Sequence, residues 1–192
     1  MKKFNLIVGI TGTLGAGKGT IVEVLQKEYQ FIHYSVRGFL SKILKEESAD
    51  ITRDSLTMLG NKLRAQYGGD YIIQQMLSDA QQEIFPVAIE SIRSKMEVDS
   101  LLQKGVPIIA IDADQSLRYD RIVERSSETD SVSYEKFCED EAREMYNKDP
   151  LMQNIAYAMS KANFHIKNNH TFDSLEREVK EIMNAIYQLH RV

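Results

Sequence analysis

Short apolar runs alternate along this chain with longer stretches whose apolar positions recur every three or four residues. That alternation predicts strands and helices in turn. Residues 4–10 form the first apolar run and read as a buried strand. Residues 21–29 read as a helix with Val22, Leu25 and Gln26 inward. Residues 31–35 are the second strand, and residues 36–45 a helix with Phe39, Leu40, Ile43 and Leu44 on one face. Two more helical pieces follow without a strand between them. One starts at Thr52, buries Leu56, Leu59 and Leu63, and stops at Gly68-Gly69; the other, residues 71–83, is expected to be capped by Asp70. That is more than a minimal crossover needs, so residues 36–83 are expected to form a helical insert.

The pattern continues with a third strand at 85–90, a helix at 95–103 and a fourth strand at 106–112, whose Pro107 is tolerable near a strand start. Residues 117–124 are helical, 126–133 a polar acidic loop, 134–146 helical, and a further helical piece opens at Pro150. Residues 164–167 are the last strand, and an amphipathic helix through Leu175, Val179, Ile182, Met183 and Ile186 closes the chain at 189. The composite is one α/β domain over residues 1–192 with a five-stranded parallel sheet.

Between the first strand and the first helix lies Gly12-Thr13-Leu14-Gly15-Ala16-Gly17-Lys18-Gly19-Thr20. Strand, glycine-rich turn and helix, with Gly-x-x-x-x-Gly-Lys from Gly12 to Lys18, form a phosphate-binding loop in its required context. Glycines let successive N–H groups turn inward, the helix start adds unpaired N–H groups, and Lys18 supplies a mobile cation for β- and γ-phosphates. Gly12, Gly15, Ala16, Gly17, Lys18, Gly19 and Thr20 are therefore the expected nucleotide contacts, and the fold expected is a three-layer P-loop NTPase. Gly19 stands where most such loops carry the hydroxyl that touches magnesium, and Thr20 comes one position late.

Composition narrows the picture. The 192 residues, 43% hydrophobic and 27% charged, suit an ordinary soluble globule, and a net charge of −4 does not favour nucleic acid or an anionic membrane. The one cysteine, Cys138, excludes an intrachain disulfide and fits a reducing, cytoplasmic setting. No apolar stretch has membrane-spanning length, the N-terminus does not read as a signal peptide, and no Cys/His cluster has zinc spacing.

Two carboxylates end apolar strands. Glu90 is favoured to hold Mg²⁺, directly or through water, and Asp112 is its competitor. Phosphoryl transfer to an anionic acceptor needs cations on both sides of the reacting group. Arg37, Arg64 and Arg93 are expected on the acceptor side; Arg121 and Arg125 are expected over the donor phosphates, with residues 125–134 as a short lid. Ser35 either caps the second helix or binds substrate. Arg118 is expected to pair with Glu124 or face solvent. The histidines have no Ser or Cys partner that suggests nucleophilic catalysis.

The Gly-Lys-Gly-Thr form of the loop resembles that of nucleoside monophosphate kinases of the adenylate and cytidylate kinase kind. Further segments are similar to a branch of that superfamily related to dephospho-coenzyme A kinase and adenylate kinase. These are Ala88-Ile89-Glu90-Ser91-Ile92-Arg93-Ser94, Ile111-Asp112-Ala113-Asp114 with Arg118-Tyr119-Asp120-Arg121-Ile122, residues 137–144, and Ala162-Asn163-Phe164-His165-Ile166 with Asn168-Asn169. The resemblance covers roughly residues 4–180 and implies ATP and Mg²⁺ as cofactors, Lys18 on the donor, and Arg93 and Arg37 on the acceptor. Departures are Glu90 for Asp, Ser91 for Gly, Asn163 for Asp, and Asp140 where an arginine is usual, which would leave the lid short of a cation. The acceptor-side Thr-Gly-Asp segment of adenylate kinase is replaced by Ser35-Val36-Arg37. The activity implied is ATP-dependent phosphorylation of a nucleoside monophosphate or related small acceptor. The alternatives are a dephospho-coenzyme A kinase-type activity and a nucleotide-binding regulatory protein without acceptor phosphorylation. Oligomeric state is not readable from these residues.

Overall fold

The computed structural model describes residues 6–125, 133–149 and 151–189. Its centre is β1 (Ile7–Gly12), whose Val8 and Ile10 are fully buried on one face of the sheet among apolar neighbours. Hydrogen-bonded around it are β3 (Val87–Glu90) on one side and β4 (Ile108–Asp112) on the other; β2 (Ile32–Ser35) and β5 (Phe164–Lys167) form the edges. The order is β2-β3-β1-β4-β5, and every pair is parallel. The central strands read as continuous apolar runs because helices cover both faces.

One face carries α1 (Lys18–Tyr29) and α9 (Phe172–Leu189), which bury Ile21, Leu25, Val179 and Met183 against the sheet. The other carries α5 (Lys95–Gln103) and α8 (Ile155–Lys161), with α2 (Val36–Glu46), α3 (Arg53–Tyr67) and α4 (Tyr71–Ala80) continuing the same core through Leu40, Ile72, Ile73 and Met76. The remaining helices, α6 (Gln115–Arg125) and α7 (Tyr134–Met145), flank the undescribed residues 126–132.

Several sequence expectations shift for local reasons. Gln26 is exposed and Val24 is buried instead, because the inward stripe of α1 runs through Ile21, Val22, Val24 and Leu25. The third strand starts at Val87: Pro86 has no N–H for the ladder, although its carbonyl accepts from Ile32 N (2.7 Å), and Phe85 is 43% exposed. Pro107 likewise precedes β4, its carbonyl accepting from Gly9 N (2.8 Å). Asp70 occupies the N-cap of α4 without a capping bond, because its Oδ2 accepts instead from Gln74 Nε2 at 3.0 Å. The helix expected from residue 150 begins at Ile155, where Asn154 caps Tyr157 N (2.9 Å). Among the described residues, no helix is long and apolar enough to cross a membrane.

Candidate active site

The loop sits where the carboxyl ends of β1, β3 and β4 meet, and two of its glycines are dictated by close approach. Gly12 has φ +143°, and a Cβ there would stand 2.0 Å from the Ile111 carbonyl oxygen. Gly17, the N-cap of α1, has φ +108° and would set a Cβ 2.5 Å from Asn168 Nδ2. That amide is committed to the loop, donating to the Ala16 carbonyl at 2.8 Å. On the other flank Thr13 Oγ1 donates to Asp112 Oδ1 at 2.6 Å. Asp112 thus braces the loop, and Arg118 Nε lies 3.6 Å from the same oxygen.

Lys18 opens α1 and is only 8% exposed. Its Nζ folds back over the loop and donates to the carbonyls of Gly12 (3.1 Å) and Thr13 (2.8 Å). Burial brings its pKa down to about 8; nearby Arg93 and Arg125 push the same way, while Glu90 and Glu144 oppose them. Gly19 is exposed with open space where a Cβ would go, and Thr20 is half-buried beside it.

Glu90 ends β3, in register with Ile10 of β1 and Ser35 of β2, with its side chain 15% exposed. Its Oε1 accepts from Ser91 Oγ (2.9 Å), and its Oε2 lies 3.5 Å from His33 Nε2. Burial works against its charge, but the His33 hydrogen bond, the Lys18 ammonium and Ser91 together hold its pKa down to about 2. Ser91 itself has φ 72°, left-handed backbone that glycine adopts freely. The glycine usual here in the resembled kinases would sit without strain, so this chain keeps the turn and adds a hydroxyl donor to Glu90.

Beside the loop opens a cavity of about 720 Å³, counting its mouth. Leu14 of the loop, Val36, Leu40 and Leu56 give it an apolar lining, and Arg37, Arg53, Arg93 and Arg125 bring cationic groups to it. Arg53 starts α3 and Arg93 follows β3; both donate to Glu144 of α7, Arg53 Nη2 to Oε1 (2.6 Å) and Arg93 Nη1 to Oε2 (2.6 Å). Glu144 is 6% exposed; burial alone would raise its pKa, yet the Arg93 and Arg53 guanidiniums hold it below the usual carboxylate value.

Arg64 also borders this cavity but is 3% exposed and committed to a buried partner, with Nε and Nη2 donating to Glu97 Oε1 at 3.1 and 2.7 Å. The other oxygen of Glu97 accepts from the backbone N–H groups of Arg93 and Ser94, both at 3.0 Å. The pair therefore fixes the backbone that carries Arg93. Arg64→Met leaves Glu97 as an uncompensated buried charge and is expected to lower unfolding stability by about 3 kcal/mol, read from urea midpoints.

The other sequence candidates divide clearly. Of the two readings of Ser35, the structure shows the cap: its Oγ accepts from Gly38 N at 3.3 Å. Arg37 is exposed at the cavity, and Arg125, the last residue of α6, lines it as well. Arg121 is not at this cavity. Its Nη2 donates to the Asn168 carbonyl (3.1 Å), and its buried Nη1 has no partner among the described residues. Arg118 neither pairs with Glu124 nor faces solvent; it is 5% exposed, donates to the Leu14 and Ala113 carbonyls and Glu141, and lies 5.7 Å from the Phe137 ring. Asp140 is buried, held by Lys136 and Arg143 at 3.0 Å each. Of residues 125–134, which the sequence marks as a lid, 126–132 lie outside the described residues.

Sequence reasoning passed over Arg53 and Glu144. Their available signals were the Asp140/Glu144 spacing of four on one helix and an arginine directly after the Thr52 cap of α3.

A glycine-rich loop on the central strand of a five-stranded parallel sheet defines a P-loop NTPase fold. Solved structures bear this out. The chain superposes on TT1252 from Thermus thermophilus with a TM-score of 0.61 at 17% identity, covering 97% of this chain and 98% of that one. It superposes on shikimate kinase from Bacteroides thetaiotaomicron with a TM-score of 0.56 at 9% identity, covering 95% and 98%. The chain belongs to the AAA domain family, whose match spans residues 8–145, and to the UPF0200 proteins. UPF0200 protein MJ1399 of Methanocaldococcus jannaschii is 30% identical over 189 residues, covering 94% of this chain and 90% of that protein.

Proposed function

We infer that the protein is an ATP-dependent phosphotransferase acting on a nucleoside monophosphate or a related small anionic acceptor. The observation that carries this reading is the cavity. It adjoins the phosphate loop at Leu14 and combines an apolar wall with Arg37, Arg53, Arg93 and Arg125. An apolar wall suits a base or other flat organic part, and convergent guanidiniums suit a phosphate.

In this reading Lys18 leaves the Gly12 and Thr13 carbonyls and takes the β- and γ-phosphates, while the loop N–H groups hold the rest. Arg93, Arg53 and Arg37 fix the acceptor's anionic group, which sets the attacking oxygen in line with the γ-phosphorus. Arg125 reaches the same cavity from α6 and adds charge where the transferring group passes. Among the described residues, no three carboxylates, histidines or cysteines could hold a metal alone. Mg²⁺, which usually takes one or two carboxylates and shares substrate phosphates, suits the ionised Glu90, with Thr20 as the loop hydroxyl. The ion would supply neutralisation of charge on the donor phosphates. The alternative acceptor is dephospho-coenzyme A, which also presents phosphates on an organic frame.

The second reading, a nucleotide-binding regulatory protein, draws on Glu144, which already pairs with both Arg53 and Arg93. A coupled ADP-release assay with Mg-ATP against AMP, CMP, UMP, GMP, their deoxy forms and dephospho-coenzyme A decides between them. Turnover well above the no-acceptor blank with one compound is expected. A flat panel with ATP still bound supports the regulatory reading.

Nucleotide binding also has a proton signature. Free Lys18 titrates near 8, and a bound triphosphate favours its charged form, so binding at pH 8 is expected to take up about half a proton. Uptake falls away towards pH 6.5, and triphosphate affinity weakens as pH rises above 8. Calorimetry in buffers of differing ionisation enthalpy measures it.

A further inference from the structure

On the reading of the cavity as the acceptor site, we propose that Glu144 is an internal stand-in for the acceptor's anionic group, and that its displacement sets which acceptors bind. Its two carboxylate oxygens are divided between guanidiniums from separate parts of the fold, Arg53 at the start of α3 and Arg93 after β3. A charged acceptor bridging two arginines in this way is how a phosphate group is held. Both arginine side chains are 22% exposed and border the cavity, so an incoming anion reaches them; Glu144 lines the same cavity with its side chain only 7% exposed.

The exchange selects by charge. A monoanionic carboxylate or a neutral hydroxyl would replace Glu144 like for like or worse and gain nothing. A phosphate dianion offers more charge and three oxygens to the same two forks, so it alone displaces the residue with profit. Glu144 is therefore a specificity-determining residue that rejects weakly charged acceptors.

Its helix gives the displacement somewhere to go. One turn earlier on α7, Glu141 accepts from Arg118 Nη1, and the same Arg118 nitrogen donates to the Leu14 carbonyl of the phosphate loop at 3.1 Å. Asp140 on that turn stands 3.9 Å from Arg53. Releasing Glu144 thus frees the end of α7 while its middle stays tied to the donor loop.

The test titrates inorganic phosphate and acetate into protein whose donor loop is first saturated with adenylyl imidodiphosphate and Mg²⁺, by calorimetry. Glu144→Gln keeps the shape and removes the competing charge. It is expected to bind phosphate about tenfold tighter or better and to gain acetate binding that the natural protein lacks. A folded Gln variant with equal or weaker phosphate affinity overturns the proposal. Should that variant fail to fold, hydrogen exchange on the natural protein decides. Phosphate is expected to speed exchange of the amides of residues 142–145, and unchanged or slowed exchange there overturns it. Failure to bind the imidodiphosphate, or a flat acceptor panel, counts against the kinase reading alone.

Discussion

Lys18→Ala is expected to weaken Mg-ATP binding by about a hundredfold or more, since each charge-assisted hydrogen bond it makes to phosphate is worth about 1.5–3 kcal/mol. The folded protein should not suffer. Burial depresses the pKa of Lys18 from 10.5 to about 8, so the folded state holds this proton less tightly than the unfolded chain does. For a base shifted down, the penalty is fully present below pH 8 and lifts between pH 8 and 10.5. At pH 7 the buried ammonium therefore costs roughly 3 kcal/mol of stability before its two carbonyl hydrogen bonds are counted. Removing both charge and bonds should leave the melting temperature of the ligand-free protein unchanged or raised. Unaltered ATP affinity in calorimetry would remove the loop from the account.

Arg93→Ala is expected to act on the other substrate. The acceptor kcat/KM should fall by about two to three orders of magnitude, the scale of losing one preorganised charged donor. ATP affinity should hold or improve slightly, because Arg93 is one of the charges that lower the Lys18 pKa. Glu144 keeps Arg53 as a partner, so the variant is not left with an isolated buried carboxylate. Separate measurement of ATP affinity and acceptor kinetics checks both halves. Equal loss of the two would move Arg93 to the donor side or to a structural role.

What could be read in advance follows the range over which each feature is determined. The phosphate loop was legible because strand, turn, lysine and helix lie within a few residues, and the close approaches at Gly12 and Gly17 only explain why those positions are glycine. The three central strands were legible because central parallel strands are unbroken apolar runs. The starts of the third and fourth were placed early at Pro86 and Pro107, where a missing N–H delays the ladder. Those of the first and second were also placed early, since β1 begins at Ile7 and β2 at Ile32. Glu90 could be found because it ends such a run, but its partner His33 could not, since it comes from β2, 57 positions away in the chain. The same holds for the acidic side of the cavity. Glu144 meets Arg53 across 91 residues and Arg93 across 51, and no local pattern encodes a pair so distant. Arg64 illustrates the converse: its type and region suggested a ligand, and only the fold reveals that Glu97 takes it.

The central claim is that one cavity places an acceptor in line with a nucleotide on the loop. Calorimetric titration with bisubstrate analogues, adenosine joined through five phosphates to adenosine, cytidine or uridine, tests it most directly. One of the series should bind at least a hundredfold more tightly than ATP, and Arg93→Ala should erase that gain while leaving ATP binding intact. A series in which every analogue binds no better than ATP would contradict the account.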